Sequence, residues 1–295
     1  MSSRHPLLLL LALLAGCKLP GADGPVSEQL LTSRHFSQQG MAAMERSEWE
    51  RAESVLNRAV RACPADPEAH RHYAEALWQR GRRAEAVAQL VETSRLVPDD
   101  AAVYVRLAEM RLEIGDAPAA RQAAEQALDL DPKLPSAWAV HGRVMLASGD
   151  QSRALADFHR ALSHAPNDRQ ILSSVAELYG QLGQPQRALL TLQKLNDTYP
   201  PGEEPPQVLH LLGVAYSATG RYDDAVETLT TAMLRDRPTP ELLAHLAQAQ
   251  LARGRPDEAA SAAREALALD PTHDPSRRIL AQVEQARQVL PTALR

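Results

Sequence analysis

A small residue recurs every 34 positions along this chain, at Gly40, Ala74, Ala108, Gly142 and Ala176. Twelve residues after each comes a second (Ala52, Ala86, Ala120, Ala154, Ala188), then Leu56, Leu90, Ala124, Phe158 or Leu192, and the units close on Pro64, Pro98, Pro132, Pro166 and Pro200. Gly81, Gly115, Gly149 and Gly183 mark the middle of most units. A three-residue insertion then shifts the register, which resumes at Gly213, Gly220, Ala225, Leu229 and Ala232, and again at Ala247, Gly254, Ala259, Ala263, Ala266 and Pro271. A fixed period of this length specifies one supersecondary unit copied in series, each unit covering the apolar face of the last. The 295 residues are therefore expected to form one array, where length alone would suggest two ordinary domains.

Each unit has the pattern of a helix hairpin. Apolar residues at i, i+3, i+4 and i+7 run up to the central Gly, which supplies a left-handed C-cap, and a second amphipathic stretch follows until proline blocks it. The small residues stand where the two helices cross, since a larger side chain would hold the backbones apart. Composition agrees: the chain is rich in Ala and Leu and has only 3 Trp, 6 Tyr and 2 Phe, which favours helices and leaves little to build a sheet. The expected fold class is all-α. The units fall at residues 33–66, 67–100, 101–134, 135–168, 169–202, 206–239 and 240–273, with 203–205 inserted. Asp274 to Leu290 reads as one more amphipathic helix with a polar outer face, a C-terminal cap followed by a short tail.

At the N-terminus Arg4 precedes an apolar run from Leu7 to Ala15, too short to cross a bilayer and of the length of a secretory h-region. It ends in Leu14-Ala15-Gly16-Cys17, which resembles a bacterial lipobox. That resemblance implies removal of residues 1–16, acylation of Cys17 (a palmitate-type modification), and membrane anchoring through several acyl chains. Lys18 at the next position favours the periplasmic face of the outer membrane, with the inner membrane as the alternative. Residues 17–32, containing KLPGADGPVSEQ, read as a spacer. Cys63 is the only other cysteine, so no disulfide framework or thiolate metal site can be built, and it reads as a small packing residue. A net charge of -5 and only three lysines (Lys18, Lys133, Lys194) give no basic surface for nucleic acid.

The repeats resemble the tetratricopeptide repeat family. The fourth unit carries the pattern best, with Trp138, His141-Gly142, Met145, Ala154, Phe158, Ala161 and Pro166; the sixth has Leu212-Gly213, Tyr216, Ala225, Leu229 and Ala232. The resemblance implies a right-handed α-solenoid of helix-turn-helix repeats whose concave face is built mainly by the first helices. It places a partner-binding groove at Arg71, His72, Glu75, Trp78, Arg106, Glu109, Arg143 and Leu146, a charged band that becomes more apolar towards Glu177, His210, Leu211, Val214 and Leu251. Met44, Trp78, Leu112, Leu146 and Leu251 share a register position that the family often fills with a partly buried apolar residue, so a core role stands beside the anchor role for each. The arginine, lysine and asparagine clamp with which chaperone-binding relatives hold a C-terminal carboxylate is matched only at Arg106.

The sequence contains no GxSxG elbow, phosphate-cradling Gly loop or HExxH motif. His70 and His72 are two residues apart and point to different sides of a helix; they read as surface residues and not as metal ligands. Glu203 and Glu204, in the Pro-rich insertion Tyr199 to Pro206, read as solvated loop charges, and the insertion itself as either a hinge or a tolerated loop. The expected function is a non-enzymatic scaffold, without cofactor or metal, that binds proteins or peptides of the bacterial envelope and reaches the membrane through its N-terminal lipid. Assistance to pilus or secretion assembly, recruitment of peptidoglycan-processing enzymes, and binding of a glycan or small ligand are the alternatives within and beyond that class.

Overall fold

The computed structural model describes residues 27–289, and among these the chain forms fifteen α-helices and no strand. The lipobox and Cys17 lie outside the described residues. The helices divide between two compact bodies, the first running to Ser148 and the second beginning at Gly149. In the first body α1 (Glu28–Glu45) pairs with α2 (Trp49–Ala62), α3 (Pro67–Gln79) with α4 (Arg83–Leu96), and α5 (Ala101–Glu113) with α6 (Ala117–Leu130), while α7 (Pro135–Ala147) packs on α5 and α6. In the second, α8 (Gln151–His164) packs on α9 (Arg169–Gln181), which pairs with α10 (Pro185–Asn196). The pairs α11 (Pro206–Ala218) with α12 (Tyr222–Arg235) and α13 (Pro240–Ala252) with α14 (Pro256–Leu269) follow, and α15 (Asp274–Val289) lies against α13 and α14.

One backbone device closes the first helix of the pairs. Gly81, Gly115, Gly183, Gly220 and Gly254 all take positive φ, between 67° and 83°. The next residue's N–H then reaches back to a carbonyl five residues earlier, as in Arg82 to Leu77 and Arg221 to Tyr216, both at 2.9 Å. In the first repeat the same place is held by Ser47 at φ 58°, and Glu48 N–H still bonds Ala43 O at 2.9 Å. A side chain in the left-handed region is strained where glycine is not. Ser47→Gly is therefore expected to stabilise the first body by about 0.5–1 kcal/mol, read as a higher urea midpoint at unchanged slope.

The crossings within hairpins are as tight as the period implies. A Cβ added to Gly40 would lie 2.4 Å from Leu56 Cγ, and one added to Gly213 would lie 2.5 Å from Leu229 Cγ. Around these crossings the first body buries Leu56, Leu77, Leu90 and Met110, and the second Leu172, Leu195, Leu229 and Leu243, all essentially without exposure. Helix starts are fixed by aspartates: Asp66, Asp100, Asp116 and Asp168 each accept a backbone N–H of the first turn. Asp66 also accepts from Ser33 Oγ at 2.7 Å, tying α1 to the start of α3. Cys63 is buried, 1% exposed.

Three local readings change. Helix α1 starts at Glu28, within the stretch read as spacer, because the Ser27 hydroxyl caps it by accepting from Leu30 N–H at 3.2 Å. His70 is buried rather than on the surface: its ring exchanges water for Gln89 Oε1 at 2.7 Å and Pro64 O at 3.0 Å. Glu204 is pinned rather than solvated, since Arg235 donates to both its carboxylate (2.7 Å) and its carbonyl (2.6 Å). That pairing holds the Glu204 carboxyl below its ordinary pKa and ties the Pro-rich connection to α12.

Candidate functional site

The first helices of successive repeats carry the residues assigned to a binding face. In the first body α3 contributes Arg71, His72, Glu75 and Trp78, α5 contributes Arg106 and Glu109, and α7 contributes Arg143 and Leu146. Spacings of three, four and seven along α3 put Arg71, Glu75 and Trp78 on one stripe. The structure brings the charged members together across three helices. Arg106 meets Glu75 with a two-pronged fork, Nε at 2.6 Å and Nη2 at 2.8 Å, and gives Nη1 to Glu109 at 3.1 Å. Arg143 Nη2 bonds the other oxygen of Glu109 at 2.6 Å. Arg71 turns aside to Asp100, the cap of α5, at 2.7 Å.

The result is a ladder Glu75–Arg106–Glu109–Arg143 whose charges cancel. The hydrogen bonds Arg106 donates to Glu75, reinforced by the one it donates to Glu109, raise its pKa still further, so that the guanidinium is permanently charged and already occupied. A free carboxylate arriving here would have to displace a carboxylate of the chain. The side chains are roughly one quarter to one third exposed, a setting in which each pair contributes about 0–1 kcal/mol and mainly fixes geometry. This face therefore offers polar edges with little net charge.

Trp78 is 4% exposed and belongs to the apolar core of the first body. The Arg83 guanidinium covers its ring at 3.9 Å and Arg106 approaches to 5.9 Å. A partner can reach the cations over the ring more readily than the ring itself. His72 sits half-buried next to Arg71, and burial lowers its pKa, leaving a neutral imidazole near pH 7. Leu146 is half-buried on α7, one turn beyond Arg143.

The corresponding face of the second body is open. Between α9, α10 and α11 lies a recess of about 630 Å³ whose walls include Ala176, Gly180, Ala188, Leu192, Leu211 and Val214. A second recess of about 280 Å³ continues from it between α11 and α13, sharing Val214 and Ala218 and reaching Ser217, Tyr222 and His245. Beside it His210 Nε2 and His245 Nδ1 are 2.8 Å apart. Burial lowers both pKa values, so near pH 7 the pair is neutral and shares one N–H. Leu211 and Val214 were legible as apolar groove positions, and Glu177 lies with them at the larger recess. Gly180 and Ser217 were not expected there. Among the described residues no cluster of three or more His, Cys, Asp or Glu could hold a metal ion, and no helix is long and apolar enough to cross a membrane.

Comparison with known proteins agrees with this geometry. The family model described as tetratricopeptide repeat matches residues 37–93, 75–135 and 210–274, more than half of the chain. Hsp70-Hsp90 organizing protein 2 of Arabidopsis thaliana is 23% identical over 166 residues, which cover 56% of this chain and 29% of the relative. The chain thus spans less than a third of the length of the curated Hsp70-Hsp90 organizing proteins it matches. Among solved structures, PilW, a widely conserved type IV pilus biogenesis factor, superposes with a TM-score of 0.62 at 18% identity, covering 68% of this chain and 92% of PilW. YrrB, a repeat protein with an unusual peptide-binding site, gives 0.58 at 17% identity, covering 64% of this chain and 96% of YrrB.

Proposed function

Since the chain belongs to the tetratricopeptide repeat family, whose fold is a scaffold for protein–protein interaction, we propose that it is a non-enzymatic adaptor held by lipid in a bacterial envelope. It recruits partner proteins or peptides on its first-helix face. The observation that carries the binding half of this reading is the pair of adjoining recesses on α9, α11 and α13, lined largely by apolar and small residues. The observation behind the anchoring half is the sequence Leu14-Ala15-Gly16-Cys17 after a short apolar run. PilW, with a similar fold, is a pilus biogenesis factor, and assembly of pilus or secretion machinery is the envelope process to which we assign this scaffold.

Two measurements in cells test the two halves. Radiolabelled palmitate should enter the wild-type chain and not a Cys17→Ser variant, and the variant should leave the membrane fraction; label in the variant, or none in the wild type, removes the anchor. A photo-crosslinking residue at Gln181, on the rim of the larger recess, should capture envelope proteins that the same residue at Arg264, exposed on α14, does not. Identical partner sets at the two positions would refute a scaffold working through this face. Capture of pilus or secretion components supports the assembly role, and capture of wall-processing enzymes alone overturns it.

A further inference from the structure

One register position sets the two recesses apart from every other first helix. The twelfth residue of the successive repeats is Met44, Trp78, Leu112, Leu146, Gly180, Ser217 and Leu251. Five repeats place a large apolar side chain there, and two consecutive repeats do not. Gly180 lines the larger recess and Ser217 the smaller. A Cβ added to Gly180 would have no atom within 4 Å, and the residue lies within α9 without the positive φ that demands glycine, so a side chain could start from there into the recess. Ser217 carries only a short side chain there, and its Oγ is shielded from solvent, so it does not fill the smaller recess as Leu or Trp fills this place in other repeats. At about 630 Å³ the larger recess falls in the range of ordinary ligand pockets, with the smaller as its continuation.

The charge at this site has one sign. Glu177 is the only carboxylate among the residues lining either recess, and no lysine or arginine lines them. It stands three residues before Gly180 on α9, on the same side of the helix and one turn away, exposed and contacted by Ser173 Oγ at 3.3 Å. Glu109 in the first body is matched by Arg106 and Arg143, whereas Glu177 forms no ion pair among the described residues.

We propose that the recesses at Gly180 and Ser217 form a docking site for a partner-protein segment carrying two bulky apolar side chains and, about one turn from the first, an arginine or lysine that pairs with Glu177. The partner's side chains fill the places that Trp78, Leu112 and Leu146 fill from within in other repeats. This rests on the scaffold reading above and adds to it the chemistry of the segment bound.

A random peptide library displayed on phage, selected on the intact chain and counter-selected on a Gly180→Leu variant, tests it. The enriched peptides should share two large apolar residues and a basic one. A fluorescent peptide of that consensus should bind Gly180→Leu about tenfold or more weakly, while thermal unfolding of the variant shows no loss of fold, since Leu is the better helix former. Glu177→Gln should weaken binding several-fold and flatten its salt dependence. Enrichment of acidic peptides, or equal affinity for Gly180→Leu, overturns the proposal, as does failure to enrich any motif. Self-association of the chain that Gly180→Leu abolishes would make a second copy the occupant and overturn it likewise. Peptide binding that responds to Gly180→Leu without any envelope protein crosslinked at Gln181 would sink the scaffold reading alone. Crosslinked partners unchanged by Gly180→Leu would sink the docking site alone.

Discussion

Trp78→Ala should destabilise the first body by about 3–5 kcal/mol, the range for removing a large aromatic from a packed core. The indole is 4% exposed and packs in the apolar cluster that runs through α3, α5 and their partner helices. Its loss also removes the platform beneath Arg83 at 3.9 Å, a cation–π contact of about 0.5–1 kcal/mol at a partly exposed site. Trp78→Phe keeps most of the apolar area and should cost roughly half as much or less. Chemical denaturation followed by circular dichroism will read this as an earlier transition. Because repeat arrays unfold in stretches, the shift should fall on the transition assigned to the first body, with the rest of the curve little changed. A cost below about 1 kcal/mol would place the ring outside the core, and Trp78 would again be an exposed anchor. With the larger cost, loss of partner binding in Trp78→Ala reports damage to the platform, and Trp78→Phe is the variant that separates the two roles.

Burial at Trp78 illustrates what sequence could and could not supply. The period identifies each position by its place in the unit, so a small residue at the crossing, a left-handed Gly at the turn and an all-helical chain were all readable from residue type alone. They depend on the local geometry of a single hairpin, and the structure repeats that geometry at Gly81, Gly115, Gly183, Gly220 and Gly254. Whether a particular side chain on the first helix faces solvent depends on its neighbours in the next repeat. That is why Glu75, Arg106, Glu109 and Arg143 emerge as one compensated ladder, and why His70 is buried by partners 19 residues ahead and six behind. The signal for the open recesses was present as an exception to a series, Gly180 and Ser217 where other repeats have Met, Trp or Leu. Sequence does not say whether such a gap is filled by relaxation of the helices around it; in the folded chain it stays open. Ser27 and the earlier start of α1 are a different case, a cap with ordinary chemistry masked by the Pro and Gly before it.

The crossing of α11 and α12 allows the packing argument to be tested as a coupling. Leu229→Ala should cost about 2–5 kcal/mol, since the side chain is fully buried and the helices on either side can close the space only in part. Gly213→Ala would gain about 1 kcal/mol of helix propensity. Against that, its new Cβ would lie 2.5 Å from Leu229 Cγ and 2.8 Å from Cδ2, so either the leucine or the helix must move. Overpacking of this kind costs about 1–3 kcal/mol, and the branched Cγ is not a flexible tip, so the net effect is expected to be a loss of about 1–2 kcal/mol. The hairpin of α3 and α4 holds Ala74 and Leu90 at the same register, both buried, so such a crossing can be spaced for the extra methyl when the whole hairpin is built that way. In α11 and α12 it is built without it. The double variant Gly213→Ala, Leu229→Ala should therefore be more stable than the two single losses predict, by at least about 1 kcal/mol, because the added methyl enters the space the leucine leaves. The hairpins of α5–α6 and α13–α14 already use this pairing, with Ala108 against Ala124 and Ala247 against Ala263 at the same registers, all buried. Additivity within about 0.5 kcal/mol would mean that the two residues do not meet, and the crossing would then be held by contacts other than the small residue that defines the period.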